Sequence, residues 1–241
     1  MTTAYLQETT LLDFSHSSIQ QLISDKHWRA LSTQNAIAAV YSFVRDEILF
    51  GYNADDSIPA SQVLADGYGQ CNTKSTLFMA LLRALGIPCR LHGFSIYNAL
   101  QRGAIPAYLM PLAPKRILHS WVEVHLADKW LDIEGFIIDR PFLRQVQQAF
   151  GDCGKFSGYG IAVPCLQKPQ NDFNGGNTYI QAEGIADDFG LFTQPDDFYA
   201  KHGSNLRGVK KLLYRYVLRH LINYNVNRIR RLGIPPARSK V

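Results

Sequence analysis

No stretch of the 241 residues stays apolar for the ~20 positions that a bilayer crossing needs, so no membrane-spanning helix is expected. The opening segment, MTTAYLQETTLLDF, lacks a basic stretch followed by an apolar one, which argues against a secretory signal. Cysteine is scarce, with four residues at 71, 89, 153 and 165 and no C-x-x-C pair, so a zinc knuckle is not expected. Four scattered thiols do not suggest a disulfide framework, and a reducing cytoplasm is the default location. There is no internal repeat, no low-complexity segment and no acidic loop of the EF-hand type, so neither metal nor cofactor is expected. The pairs Asp55-Asp56 and Asp187-Asp188 read as surface acids. Acid is also missing from one whole region: Lys201–Val241 holds eleven Lys and Arg and no Asp or Glu, while the preceding 200 residues net −6. That basic tail either pairs with the chain's own acidic body or offers its charge to an anionic partner.

What is present fits one globular core. Hydrophobic residues make up 46% and charged residues 19%, outside the range of disordered chains. Helices are expected over Asp13–Ile23 and Thr33–Ile48, the second from Ile37, Val40, Tyr41, Val44 and Ile48 at helical spacing. Cys71–Leu85 is the clearest helix, with Leu77, Phe78, Leu81, Leu82 and Leu85 in one stripe and Gly86 and Pro88 as stop signals. Gly67 and Gly69 turn the chain sharply into it, which puts Cys71 at its N-terminus. Strands follow at Cys89–Ile96, Leu118–Leu126 and Lys129–Ile138, the last two joined by a tight turn at Ala127–Asp128. Helices first and strands later imply an α+β class with an antiparallel sheet. Beyond a helix at Pro141–Phe150, residues 151–204 read as a loop-rich excursion. A basic C-terminal helix closes the chain within residues 205–241, with Leu206, Val209, Leu212, Leu213, Tyr216, Val217, Leu221 and Tyr224 expected on its buried side. The whole is expected to be one structural domain.

A helix N-terminus offers partial positive charge and free N–H groups, conditions that favour a reactive thiolate. Cys71 is therefore the candidate nucleophile, whereas Cys89 reads as core and Cys153 and Cys165 as loop residues. His119 begins a strand that returns through the Ala127–Asp128 turn. In that register Glu123 faces Asp132, His119 faces Phe136, and Glu134 lies diagonal to His119. A carboxylate beside an imidazole fixes its tautomer and stabilises its charged form. Glu134 is the favoured acid and Asp132 the alternative.

Three segments in this order carry a resemblance. DGYGQCNTKSTLFMALLRALGIPCR, from Asp66 to Arg90, resembles the nucleophile helix of transglutaminase-like proteins, which belong with the papain-like cysteine enzymes. HSWVEVHL, from His119 to Leu126, resembles their His-x-Trp-x-Glu-Val strand, and KWLDIEGF resembles the strand that holds the third triad member. The likeness spans about residues 35–140. It implies a papain-like α+β core, a Cys71–His119–acid triad and a thiol enzyme acting on amide bonds of a peptide or protein, by hydrolysis or by transglutaminase-type acyl transfer. The family's acid is usually an Asp four residues after the strand's Trp. Here that position is Glu134, which leaves a second reading open: an idle scaffold that binds peptides. Gln70 is a further candidate, as an oxyanion donor. Trp121 is read as core packing rather than as a wall of the cleft.

Overall fold

The computed structural model describes residues 3–151 and 154–235. Helices α1 (Ser17–Asp25) and α2 (Thr33–Asp46) lead to a two-residue strand β1 (Leu49–Phe50). Next come α3 (Ala60–Asp66), β2 (Tyr68–Gly69) and α4 (Cys71–Ala84), then β3 (Cys89–Tyr97), β4 (Arg116–Leu126), β5 (Lys129–Ile133) and α5 (Arg140–Ala149). A small hairpin, β6 (Phe156–Gly158) and β7 (Ile161–Val163), precedes β8 (Ile185–Phe192) and α6 (Pro195–His202). The C-terminal helix has three parts: α7 (Gly208–Leu213), a π-helical turn (Tyr214–Leu218) and α8 (Arg219–Leu232). The fold is α+β. Its main sheet is antiparallel in the order β5-β4-β3-β8.

Helix α4 is the spine of the core, and every residue from Cys71 to Arg83 is buried. Its polar side chains are tolerated there because each finds a partner. Lys74 donates to the Arg45 and Ile137 carbonyls, Ser75 to the Ser120 carbonyl, and Arg83 to the carbonyls of Gln7, Cys89 and Thr193. Burial pulls the Lys74 ammonium down to about 7.

The β4–β5 hairpin follows the register expected from its turn, with Glu123 opposite Asp132 and Val122 opposite Ile133. Ala127 and Asp128 both have positive φ, as a two-residue type I′ connection requires. Strand β5 stops at Ile133 instead of running to Ile138. There the backbone of Glu134 leaves the sheet and bonds to the Thr178 carbonyl 3.0 Å away, so the chain turns under a neighbouring loop. Gly135 makes this possible, since a Cβ on it would lie 2.4 Å from the Tyr41 hydroxyl.

Two further expectations change. Residues 151–204 contain strand β8 of the main sheet and helix α6 as well as loops. The apolar stripe assigned to the buried side of the C-terminal helix is largely exposed: Val209, Leu212, Tyr216 and Tyr224 face outward, and Ile222, Val226 and Ile229 face the core. The outward-facing residues lie before the π-helical turn (Val209, Leu212) as well as within and after it (Tyr216, Tyr224), so the whole stripe is on the solvent side of the helix. Among the described residues, no helix is long and apolar enough to cross a membrane.

The C-terminal helix is held by polar contacts to the body. Asn223 pairs with both backbone polar groups of Tyr52, at 2.7 and 3.0 Å. Lys211 and Arg215 pair with Asp55, and Arg230 with the buried Asp139 at 2.8 Å. Asp139 also caps α5 through the Phe142 N–H and accepts from the Phe50 N–H. Burial alone would raise the Asp139 pKa, but the Arg230 contact and these N–H groups outweigh it and hold the carboxyl below its ordinary value. Its stabilising contribution is thus complete above the unfolded carboxylate range and is lost as pH falls through the lower folded value. Arg230→Ala leaves this charge buried and unpaired. The expected loss is about 3–5 kcal/mol in urea unfolding at pH 7, with acid unfolding starting at a higher pH than in the wild type.

Candidate active site

Cys71 is the first residue of α4, with Gln70 at the N-cap. The approach is tight: Gly67 takes a left-handed φ of 69°, and a Cβ on Gly69 would lie 2.7 Å from Thr73 Oγ1. Thr73 Oγ1 in turn accepts the Gln70 N–H at 3.1 Å, closing the turn that presents Cys71. The side chain of Cys71 is 5% exposed.

His119 lies on β4, fully buried. Its Nε2 is 2.8 Å from Glu134 Oε1. The other carboxylate oxygen of Glu134 accepts the backbone N–H groups of Ile180 and Gln181, at 2.8 and 2.9 Å. A fully buried carboxylate is thereby given three donors. His119 Nδ1 is not closed into a hydrogen bond of good geometry, and with Nε2 held by Glu134 it is the nitrogen left for Cys71. Burial by itself would lower the His119 pKa. Charge and hydrogen bonding from Cys71, and then from Glu134, overcome this and raise it above 6.5.

Asp132 is placed elsewhere. Its carboxylate accepts the Tyr179 hydroxyl at 2.6 Å, and its backbone N–H bonds to Asn177. Trp121 is buried against Phe94. Gln70 has its oxygen on the Asn53 N–H and one N–H on Asp56, both at 2.9 Å, which leaves its second N–H free. Cys89 is a buried free thiol that donates to the Met79 carbonyl, and burial pushes it up to about 11. Cys165 is disulfide-bonded, which corrects its reading as a loop thiol. Cys153 lies outside the described residues.

Several neighbours could not be read from the sequence. Asp56, expected at the surface, is 8% exposed and accepts from Gln70, Asn72 and Asn205. Asp55 is also largely covered, beneath Lys211 and Arg215. Asn72 continues the network to the Leu118 carbonyl and to the Ser120 hydroxyl, on either side of His119. Asn205 accepts the Leu118 N–H at 2.7 Å, so the chain beyond β8 also helps fix the start of β4. Tyr199 on α6 is buried with no partner for its hydroxyl, and burial and then the charges of Asp56 and Cys71 raise its pKa.

The clamp on Glu134 yields a sharp expectation. Glu134→Gln would turn an amide NH₂ toward the Ile180 and Gln181 N–H groups or toward His119, setting donor against donor at one end. The expected cost is about 1–3 kcal/mol of stability. His119 adds a pH dependence: because its folded pKa is raised, its contribution is complete below about 6.5 and is lost as pH rises through the folded value. Thermal unfolding at several pH values should therefore show a larger wild-type-to-variant gap at pH 6 than at pH 10. Asp132→Asn should lack this pH dependence.

Residues 21–135 match the family model of the transglutaminase-like superfamily. Among solved structures, the chain is similar to a candidate cysteine protease from Cytophaga hutchinsonii, at 11% identity and a TM-score of 0.48. That likeness covers 81% of this chain but only 48% of the other, so the chain spans about half its length. No curated protein matches the chain. Cys71 at a helix start, His119 on β4 and Glu134 just past the end of β5 all lie within the matched residues, which make up a little under half of the chain.

Proposed function

We propose that the chain is a thiol enzyme that cleaves amide bonds of a peptide or protein substrate through a thioacyl intermediate. The observation that carries this reading is the asymmetry at His119: Nε2 is clamped to a buried carboxylate, while Nδ1 is left for a cysteine at a helix N-terminus. Glu134 orients the ring and stabilises its charged form, in the way a triad acid does.

The chemistry follows in two halves. Cys71 gives its proton to His119 Nδ1, and sulfur bonds to the substrate carbonyl carbon. The oxyanion so formed can be held by the free N–H groups of the first turn of α4, with the second N–H of Gln70 as a further donor. As the C–N bond breaks, His119 returns the proton to the leaving amine. Water, activated by the now neutral His119, then attacks the thioester, releases the acid and restores the Cys71 thiol. An amine in place of water would give transamidation, but that outcome needs a site that keeps water out. Hydrolysis is the reading adopted.

The test is alkylation with limiting iodoacetamide, read cysteine by cysteine by mass spectrometry. At pH 7 Cys71 should react at least ~10-fold faster than Cys89, and His119→Ala should remove most of that advantage while the protein stays folded. A Cys71 that reacts no faster than Cys89, or that is indifferent to His119, would overturn the enzyme reading in favour of a peptide-binding scaffold.

A further inference from the structure

Cys71 opens onto a cavity of about 120 Å³ whose walls include Tyr52 and the Ala54, Asp55 and Asp56 loop and come otherwise from three parts of the chain. One is the nucleophile turn, with Gln70, Cys71 and Asn72. The second is the segment before His119, with Ile105, Leu109 and Leu112. The third lies outside the matched family residues: Leu206 and the inner face of the C-terminal helix, with Tyr214, Leu218 and Ile222. The π-helical turn, Tyr214–Leu218, supplies two of these residues, and such turns commonly mark functional positions in helices.

Apart from an amide N–H of Gln70, the main polar groups of the lining are engaged with one another or with the backbone. Asp55 is paired with Lys211 and Arg215. Asp56 is surrounded by three amide donors. Gln101 Oε1 accepts the Tyr52 hydroxyl at 2.6 Å. The Tyr214 hydroxyl donates to the Asn53 carbonyl at 3.1 Å. A charged side chain entering here would lose water without a counter-charge left unpaired to receive it, an unfavourable exchange for a buried charge. An apolar group would gain from burial. A dry apolar cavity of about 150 Å³ accepts benzene, so the space suits an aliphatic or small aromatic side chain.

We propose that this cavity is the acyl-side subsite of the enzyme, and that the C-terminal helix builds it to select an uncharged group of about leucine to phenylalanine size beside the reacting carbonyl. The proposal rests on the thiol-enzyme reading and adds to it a substrate class. In this arrangement the helix is part of the site, and substrate preference is set by residues such as Leu218 and Ile222 that lie far in sequence from the nucleophile.

The experiment uses the full chain and 4-nitrophenyl esters of N-acetyl-leucine, -phenylalanine, -glutamate and -lysine, so that only the acyl side varies. Nitrophenolate release gives kcat/KM, and intact mass identifies acylated Cys71. The leucine and phenylalanine esters should exceed the glutamate and lysine esters by about 10- to 100-fold, the range a buried apolar contact supplies. Leu218→Trp, which fills the cavity, should lower the preference for the apolar over the charged esters at least ~10-fold. Leu112→Trp, at a half-exposed rim position that tolerates bulk, serves as the second variant and should act in the same direction. Equal rates for charged and apolar esters, or unchanged preference in both folded variants, would overturn the subsite while leaving Cys71 an active nucleophile. No acylation of Cys71 by any ester would instead remove the thiol-enzyme reading, and the subsite with it.

Discussion

A carboxylate and an imidazole buried together and sealed from water impose the strictest demand in this protein. Neither Glu134 nor His119 has measurable exposure, and an ion pair so placed survives only if every remaining lone pair and proton is met. The fold answers this demand with backbone. Strand β5 ends one residue before Glu134, the chain turns at Gly135, and the segment from Thr178 to Gln181 runs alongside. That segment accepts the Glu134 N–H through its Thr178 carbonyl and donates two N–H groups to the Glu134 carboxylate. Backbone donors are held by the chain itself and cannot swing away, so the carboxylate is fixed more firmly than side-chain partners would fix it. The ring inherits that fixity, and its Nδ1 is left without a hydrogen bond of good geometry among the described residues.

The same logic explains why residues far from Cys71 in sequence belong to its setting. Asp56 would be costly to bury alone. Surrounded by Gln70, Asn72 and Asn205, it becomes a hub that ties the turn before α4 to the segment after α6. Asn205 also holds the start of β4 through Leu118, one residue before His119. The C-terminal helix is drawn onto this assembly by Arg230 on Asp139 and by Asn223 on Tyr52. Several of its basic residues thus neutralise acids of the body, which accounts for part of the charge imbalance along the sequence.

The parts of this architecture that were legible in the sequence are those written locally. The Gly67–Gly69 turn, the apolar stripe of α4 and the stop at Gly86 lie within twenty residues of one another. The Ala127–Asp128 turn sets the hairpin register, and the register brings Glu134 rather than Asp132 toward His119. What escaped is what depends on contacts across long separations. Nothing local marks Ile180 and Gln181 as the donors to Glu134, since they lie 46 and 47 residues away from it. Nothing local marks Asp56 as buried, because its Asn205 partner is 149 residues off. The loop-rich composition of residues 151–204 hid a sheet strand whose partner, β3, lies about 90 to 100 residues earlier.

The C-terminal helix failed in a more instructive way. Its apolar residues recur at helical spacing on two faces, and periodicity cannot say which face a core will take. The stripe through Val209, Leu212, Tyr216 and Tyr224 lies in solvent both before and after the π-helical turn, and the core takes the other face. The face that the fold uses, Tyr214, Leu218 and Ile222, is defined by what it meets: a cavity with Cys71 on its opposite side. Tyr214 and Leu218 line that cavity, Val226 and Ile229 are buried in the core, and Ile222, which is buried and also lines the cavity, joins the two, so one face of the helix serves both the core and the space beside Cys71.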